Sequence, residues 1–163
     1  VLDGGMDAWV ASGFPTESVV EAILPTVYPV VFNHQMLATE SELKALLNNH
    51  DDTVLIDARA AERFRGEQEP LDRKAGHIPG ALNRPYARNL DNGVFKSSKQ
   101  LRAEFAPLVQ DKKNIILSCG SGVTACHNAL ALSHAGIDTW RLFAPSWSGW
   151  VADDTNPIAT GEP

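Results

Sequence analysis

The sequence predicts an α/β fold: a central parallel sheet with helices on both faces. Three observations carry this. Val54-Leu-Ile56, within Thr53–Asp57, and the run Ile115-Ile-Leu117 are continuously apolar, as strands buried on both sides are. Segments with helical character separate the runs, and strands alternating with helices argue for parallel pairing. Finally, Cys119-Gly-Ser-Gly-Val-Thr124 follows the second run and opens a helix. That places a thiol at the carboxyl end of a strand, where ligands of such sheets bind.

Taken in order, the chain opens on Val1-Leu-Asp-Gly-Gly-Met-Asp-Ala-Trp9-Val10-Ala11, which aligns without a gap on Leu142-Phe-Ala-Pro-Ser-Trp-Ser-Gly-Trp150-Val151-Ala152. Each reads as a strand end, a turn of small residues and a helix carrying a Trp, and the repeat suggests tandem units. Residues 1–17 are therefore expected to be the tail of a truncated preceding domain of the same fold. Residues 18–30 follow as a linker, with Pro25 and Pro29 favouring extended chain. The complete domain is expected over 31–163. In it, Thr39-Glu-Ser-Glu42 is a capping box opening a helix through Leu43, Leu46 and Leu47. After the Thr53–Asp57 strand come a short helix over 60–64, a turn at His77-Ile-Pro-Gly80 and a brief strand, Ala81-Leu-Asn83. A helix over 100–108 carries Leu101, Phe105 and Leu108 on one face. The cysteine strand and helix follow, then a strand near 139–143 and a closing helix near 147–151.

At 163 residues the chain can bury a sizeable core. A formal net charge of −6, with no basic run, argues against nucleic acid or an anionic membrane as partner. No apolar segment approaches the roughly 20 residues a membrane span needs. Two cysteines outside any framework pattern fit a reducing compartment, read as the cytoplasm.

Cys119 is the candidate nucleophile. The glycines beside it let backbone N–H groups converge on one point, and the helix that follows adds its positive end. Such a ring lowers the pKa of a thiol and holds an anionic substrate or a charged sulfur adduct. Gly120, Ser121, Gly122, Val123 and Thr124 are the candidate ring, with the Ser121 and Thr124 hydroxyls as additional donors. Cys126 lies inside the helix and reads as packing, and a disulfide to Cys119 would destroy the ring. His127 and His134 read as ordinary helix residues. No His, Cys and Asp cluster has metal-ligand spacing, so neither metal nor cofactor is expected. Arg63 follows the Asp57 strand by roughly one and a half helical turns, which lets it reach the same sheet end as Cys119.

Cys-Gly-Ser-Gly-Val-Thr resembles the active loop of the rhodanese-type sulfurtransferases, closest to the 3-mercaptopyruvate sulfurtransferase branch. Asp57-Ala-Arg59 through Arg63-Phe64, Gly76-His-Ile-Pro-Gly-Ala81 and Ser146-Trp-Ser-Gly-Trp150 match further landmarks in the right order. The resemblance implies a rhodanese-like domain, tandem in this branch, with the cysteine in the second unit. It implies ping-pong transfer of sulfur from 3-mercaptopyruvate or thiosulfate, through a Cys119 persulfide, to a thiol or cyanide acceptor. It makes Arg63 the arginine for the donor's carboxylate. A second substrate arginine follows a Glu-Pro pair in the family. Here Glu69-Pro70 is followed by Leu71-Asp72-Arg73, so the alignment slips and Arg73 is a candidate. Asp57 and His77 are expected to bond each other and fix the loops. Trp147 and Trp150 are read as core or pocket wall, and Gly149 stands where the family usually has an acid, which removes a polar contact near the rim. A cysteine phosphatase would need an arginine where Ala125 stands. A thiosulfate sulfurtransferase proper and a non-catalytic rhodanese-like module are the other readings.

Overall fold

The computed structural model describes residues 1–19, 22–48 and 52–162. Val20 and Glu21 of the expected linker and Pro163 at the end of the expected domain lie outside the described residues. Four strands form one parallel sheet: β1 (Thr53–Asp57), β2 (Ala81–Asn83), β5 (Asn114–Ser118) and β6 (Trp140–Leu142), in the order β2-β1-β5-β6. The central register runs from Thr53 opposite Asn114 to Asp57 opposite Ser118. Leu37 extends the far edge through a parallel bridge to Leu142.

Alternate residues of the buried strands serve two cores. Val54, Ile56, Ile115 and Leu117 pack with Leu101 and Phe105 of α4 (Ser98–Val109) and with Ala125, Ala129 and Leu132 of α5 (Val123–His134). Leu55 and Ile116 pack on the opposite face with Leu43 of α2 (Glu40–Leu47), Phe64 of α3 (Ala61–Phe64), and Trp147 and Trp150 of α6 (Ser146–Trp150). Helices thus cover both faces, as expected. The expected capping box is present: Thr39 N–H donates to Glu42 at 2.8 Å, which with the other Thr39 and Arg141 contacts pulls the Glu42 carboxyl down to about 2.

The sequence reading missed some elements. A hairpin, β3 (Leu90–Asp91) and β4 (Val94–Phe95), turns at Asn92-Gly93, both left-handed, an Asn-Gly signal that was in the sequence. Helix α4 starts at Ser98, ahead of position 100, because Ser97 and Gln100 form a second capping box. The aligned N-terminal segment holds a helix as read, α1 (Gly5–Ala11), none of whose residues is buried.

The strand order positions the site. From β1 the chain crosses to β2 on one side, and from β5 it crosses to β6 on the other. The loops leaving β1 and β5 therefore diverge, and a crevice opens at the carboxyl ends of the two central strands.

Candidate active site

Cys119 follows β5 directly and is almost fully buried. Its N–H donates to Ser146 Oγ at 3.1 Å, and Ser146 Oγ donates in turn to the Phe143 carbonyl at 2.9 Å. Ser146 holds a left-handed backbone, φ 51°, between these two bonds. The carbonyls of Cys119 and Gly120 accept from the Trp147 and Ser148 N–H groups at 3.0 and 2.9 Å. In a trans peptide the N–H points opposite to the carbonyl. The N–H groups of Gly120 and Ser121 are therefore turned away from α6. Among the described residues no carbonyl or side chain accepts from the N–H groups of Gly120, Ser121, Gly122, Val123 or Thr124. They crowd the start of α5, whose first N–H groups have no partner within the helix. Gly122 is left-handed (φ 83°), and a Cβ there would lie 2.7 Å from the Ala144 carbonyl oxygen, so only glycine fits this turn.

Beside the thiol is a cleft of about 320 Å³, lined by Arg63, Leu71, Asp72, Ser148 and loop residues 119–121, 123 and 124. Arg63 comes from α3, after β1, across the crevice. Its Nη2 donates to Glu69 Oε1 at 2.6 Å and to Asp72 Oδ2 at 3.3 Å, and its Nε donates to Glu69 Oε2 at 3.3 Å. Nη1 has no partner among the described residues and lies 3.6 Å from where a Gly120 Cβ would stand. The missing side chain of Gly120 thus keeps the guanidinium open to the loop. Burial pushes the Glu69 carboxyl up, but bonds from Arg63 and from the Asp72 and Leu71 N–H groups outweigh it and hold it below the usual carboxylate range. The arrangement offers a free thiol, a set of free N–H donors and one free guanidinium arm. Among the described residues no three His, Cys, Asp or Glu side chains are grouped to hold a metal ion.

The chain matches the family described as Rhodanese-like domain over residues 39–153. It belongs to that family. It is 41% identical over 165 residues to the probable 3-mercaptopyruvate sulfurtransferase of Pseudomonas aeruginosa, covering 99% of this chain and 58% of that protein. It is 34% identical over 155 residues to the thiosulfate sulfurtransferase of Bos taurus, covering 92% of this chain and 52% of that one. The chain therefore spans a little over half the length of the curated relatives it matches. Among solved structures it resembles the anaerobic ergothioneine biosynthesis enzyme from Chlorobium limicola, with a TM-score of 0.85 at 21% identity over 100% of this chain and 41% of that one, a likeness of fold alone.

Within the rhodanese-like domain the structure gathers Cys119, Arg63, Gly120, Ser121, Val123 and Thr124 at one crevice, while Gly122 turns the loop against Ala144 and does not line it. Arg73 does not line the cleft. Its guanidinium donates to the Val151 carbonyl and, at 3.1 Å, to Asp154, beside a neighbouring hollow. Leu71 and Asp72 occupy the cleft wall after the Glu-Pro pair instead. Asp57 and His77 do not bond each other. Asp57 holds the buried Arg59 with both oxygens, and Arg59 donates to the Gly76 carbonyl at 2.7 Å. His77 Nδ1 bonds the Phe64 carbonyl at 2.8 Å, and its ring stacks on Phe64. Burial holds the His77 pKa below its ordinary value. Asp57 thus fixes the loops through Arg59, and His77 does so through Phe64. Gly149 has a packing reason: a Cβ there would lie 2.3 Å from Pro145 Cβ. Cys126 is exposed, on the outer face of α5, and its thiol donates to the Gly122 carbonyl at 3.2 Å. His127 is no ordinary helix residue, since it stacks on Phe95 and bonds Asn89 at 3.0 Å. Sequence reasoning missed Asp72, Ser146 and Ser148. The two serines flank Trp147 in a stretch already singled out, but nothing local shows which loop they meet.

Proposed function

We propose that this domain is a sulfurtransferase in which Cys119 carries the transferred sulfur as a persulfide. The observation that supports it most is the run of unbonded N–H groups from Gly120 to Thr124 around a nucleophile at the central crevice. With 3-mercaptopyruvate as donor, the Cys119 thiolate attacks the donor's sulfur, the carbon–sulfur bond breaks, and its electron pair leaves on the enolate of pyruvate. The proton on the transferred sulfur passes to that enolate. The persulfide anion that remains is held by the loop N–H groups. A thiolate or cyanide then takes the outer sulfur and restores the Cys119 thiolate. With thiosulfate the leaving group is sulfite.

The donor this cleft suits better is 3-mercaptopyruvate. Arg63 is the one cationic side chain in its lining, and its free Nη1 matches one carboxylate. The names of relatives above include both donor classes, so thiosulfate is the alternative donor. Phosphate-ester chemistry lacks its arginine, because buried Ala125 stands in that place.

The partner on the N-terminal side is a second rhodanese-like unit, to which residues 1–17 belong, with 18–30 as linker. Two matching turns support this. Gly5 and Ser146, aligned in the repeat, have φ 59° and 51°. A Cβ on Gly4 would lie 2.5 Å from Ala8 Cβ, as one on Gly149 would lie 2.3 Å from Pro145 Cβ, so each turn needs glycine at one of its two crowded positions. Trp9 Nε1 donates to the Pro15 carbonyl at 2.9 Å and Trp150 Nε1 to the Pro157 carbonyl at 2.8 Å. The compartment is the cytoplasm, because Cys119 works only when reduced. No described helix is long and apolar enough to cross a membrane.

The test is intact mass after exposure to 3-mercaptopyruvate. The expected result is one added sulfur atom on the parent protein and on Cys126→Ser, and none on Cys119→Ser, which also loses all transfer to cyanide. An adduct that survives Cys119→Ser and disappears with Cys126→Ser would overturn the assignment.

A further inference from the structure

The charges around the cleft do not form a simple anion trap. Asp57, Arg59, Glu69, Arg63 and Asp72 make one line of ion pairs, with Arg59 on Asp57 (2.8 Å) and Glu69 (3.3 Å), and Arg63 on Glu69 (2.6 Å) and Asp72 (3.3 Å). Three carboxylates stand against two guanidinium groups, which leaves one negative charge in excess. The three inner members are paired on both sides, and Asp57 at the buried end is held by Arg59 through both oxygens. Asp72 is the other end and, among the described residues, the one carboxylate that lines the cleft with Cys119. It is also fixed there: its N–H donates to Glu69 Oε1 at 3.1 Å, and its Oδ1 accepts from Ser148 Oγ at 2.6 Å. Its side chain is only 10% exposed.

We propose that Asp72 is a specificity-determining residue that sorts sulfur donors by charge, admitting a monoanion onto the free arm of Arg63 and turning away a dianion. The proposal rests on the sulfurtransferase reading. A monoanion's charge is met by Arg63. The second charge of a dianion finds no further cation in the lining and faces a fixed carboxylate where water screens poorly. Ser148 tempers Asp72 by donating to one of its oxygens.

The test compares kcat/KM for thiosulfate and for 3-mercaptopyruvate in the full chain. Asp72→Asn keeps the shape and removes the charge. It is expected to move the ratio about tenfold toward thiosulfate, an effect that shrinks with added salt. Ser148→Ala strips Asp72 of a donor and is expected to move the ratio about threefold the other way. Opposite signs from two neighbouring substitutions are not what a merely structural role produces. Calorimetric titration of the resting protein with sulfate and with pyruvate provides a readout free of turnover, in which Asp72→Asn strengthens sulfate over pyruvate. Equal changes for both donors and both anions would overturn the charge filter. A protein that moves no sulfur from either donor, yet shows the selective sulfate gain, would overturn the sulfurtransferase reading and leave the filter standing.

Discussion

Arg59 and Arg63 sit four residues apart, share Glu69 as a partner, and are opposites in what they leave free. The Arg59 side chain is 1% exposed and every one of its nitrogens donates, to Asp57, Glu69 and the Gly76 carbonyl. Its guanidinium also lies 4.9 Å from the centre of the Trp147 ring. The Arg63 side chain is 19% exposed and keeps Nη1 unbonded on the cleft side. An arginine has five N–H donors in a rigid fork. What separates a structural guanidinium from a binding one is how many of those donors the fold consumes.

Substitution at each position sharpens the contrast. The largest effect is expected from Arg59→Ala, which leaves Asp57 buried without its partner and costs about 3–5 kcal/mol of stability, read as the urea midpoint. A midpoint unchanged by that substitution would erase the difference between the two residues. Arg63→Ala should act on the donor instead. It is expected to lower kcat/KM for 3-mercaptopyruvate by about 1.5–3 kcal/mol of transition-state binding, with stability falling by only about 1 kcal/mol. A stability loss as large as that at Arg59 would make Arg63 structural too.

The smallest expected effect concerns the carboxylate they share. The Glu69 pKa is lowered in the fold from its ordinary 4.5, so the unfolded chain binds more protons in acid. The stability Glu69 contributes is then present above 4.5 and is lost as pH falls through the lower folded value. In Glu69→Gln, the decline of Tm below that pH should be shallower than in the parent. Parallel declines would mean that Glu69 is not the acid-sensitive link between the two arginines.

Much of this was written locally. Thr53–Asp57 was readable as a strand to the residue, because a continuous apolar run such as Val54-Leu-Ile56 has few other uses in an α/β chain, and the brief strand Ala81–Asn83 was readable after the His77–Gly80 turn. Thr39–Glu42 and the Cys-Gly-Ser-Gly turn were readable because capping and left-handed glycine are short-range chemistry. Arg73 misled because the chain around the Glu-Pro pair offers one arginine and two neighbours. Which of the three enters the cleft depends on the Glu69 oxygen that gathers the Leu71 and Asp72 N–H groups.

By itself the sequence determined the fold class, the cysteine at the carboxyl end of a central strand and the arginine that shares its crevice. Each is stated by a run, a turn or a spacing of a few residues. Only the tertiary structure decided that Asp72 meets Ser148, 76 positions away, that Ser146 props the Cys119 N–H, and that Arg59 reaches the Gly76 carbonyl. Those partners come from loops that the order of the strands brings to one crevice. No periodicity within a segment encodes which distant loop will stand opposite.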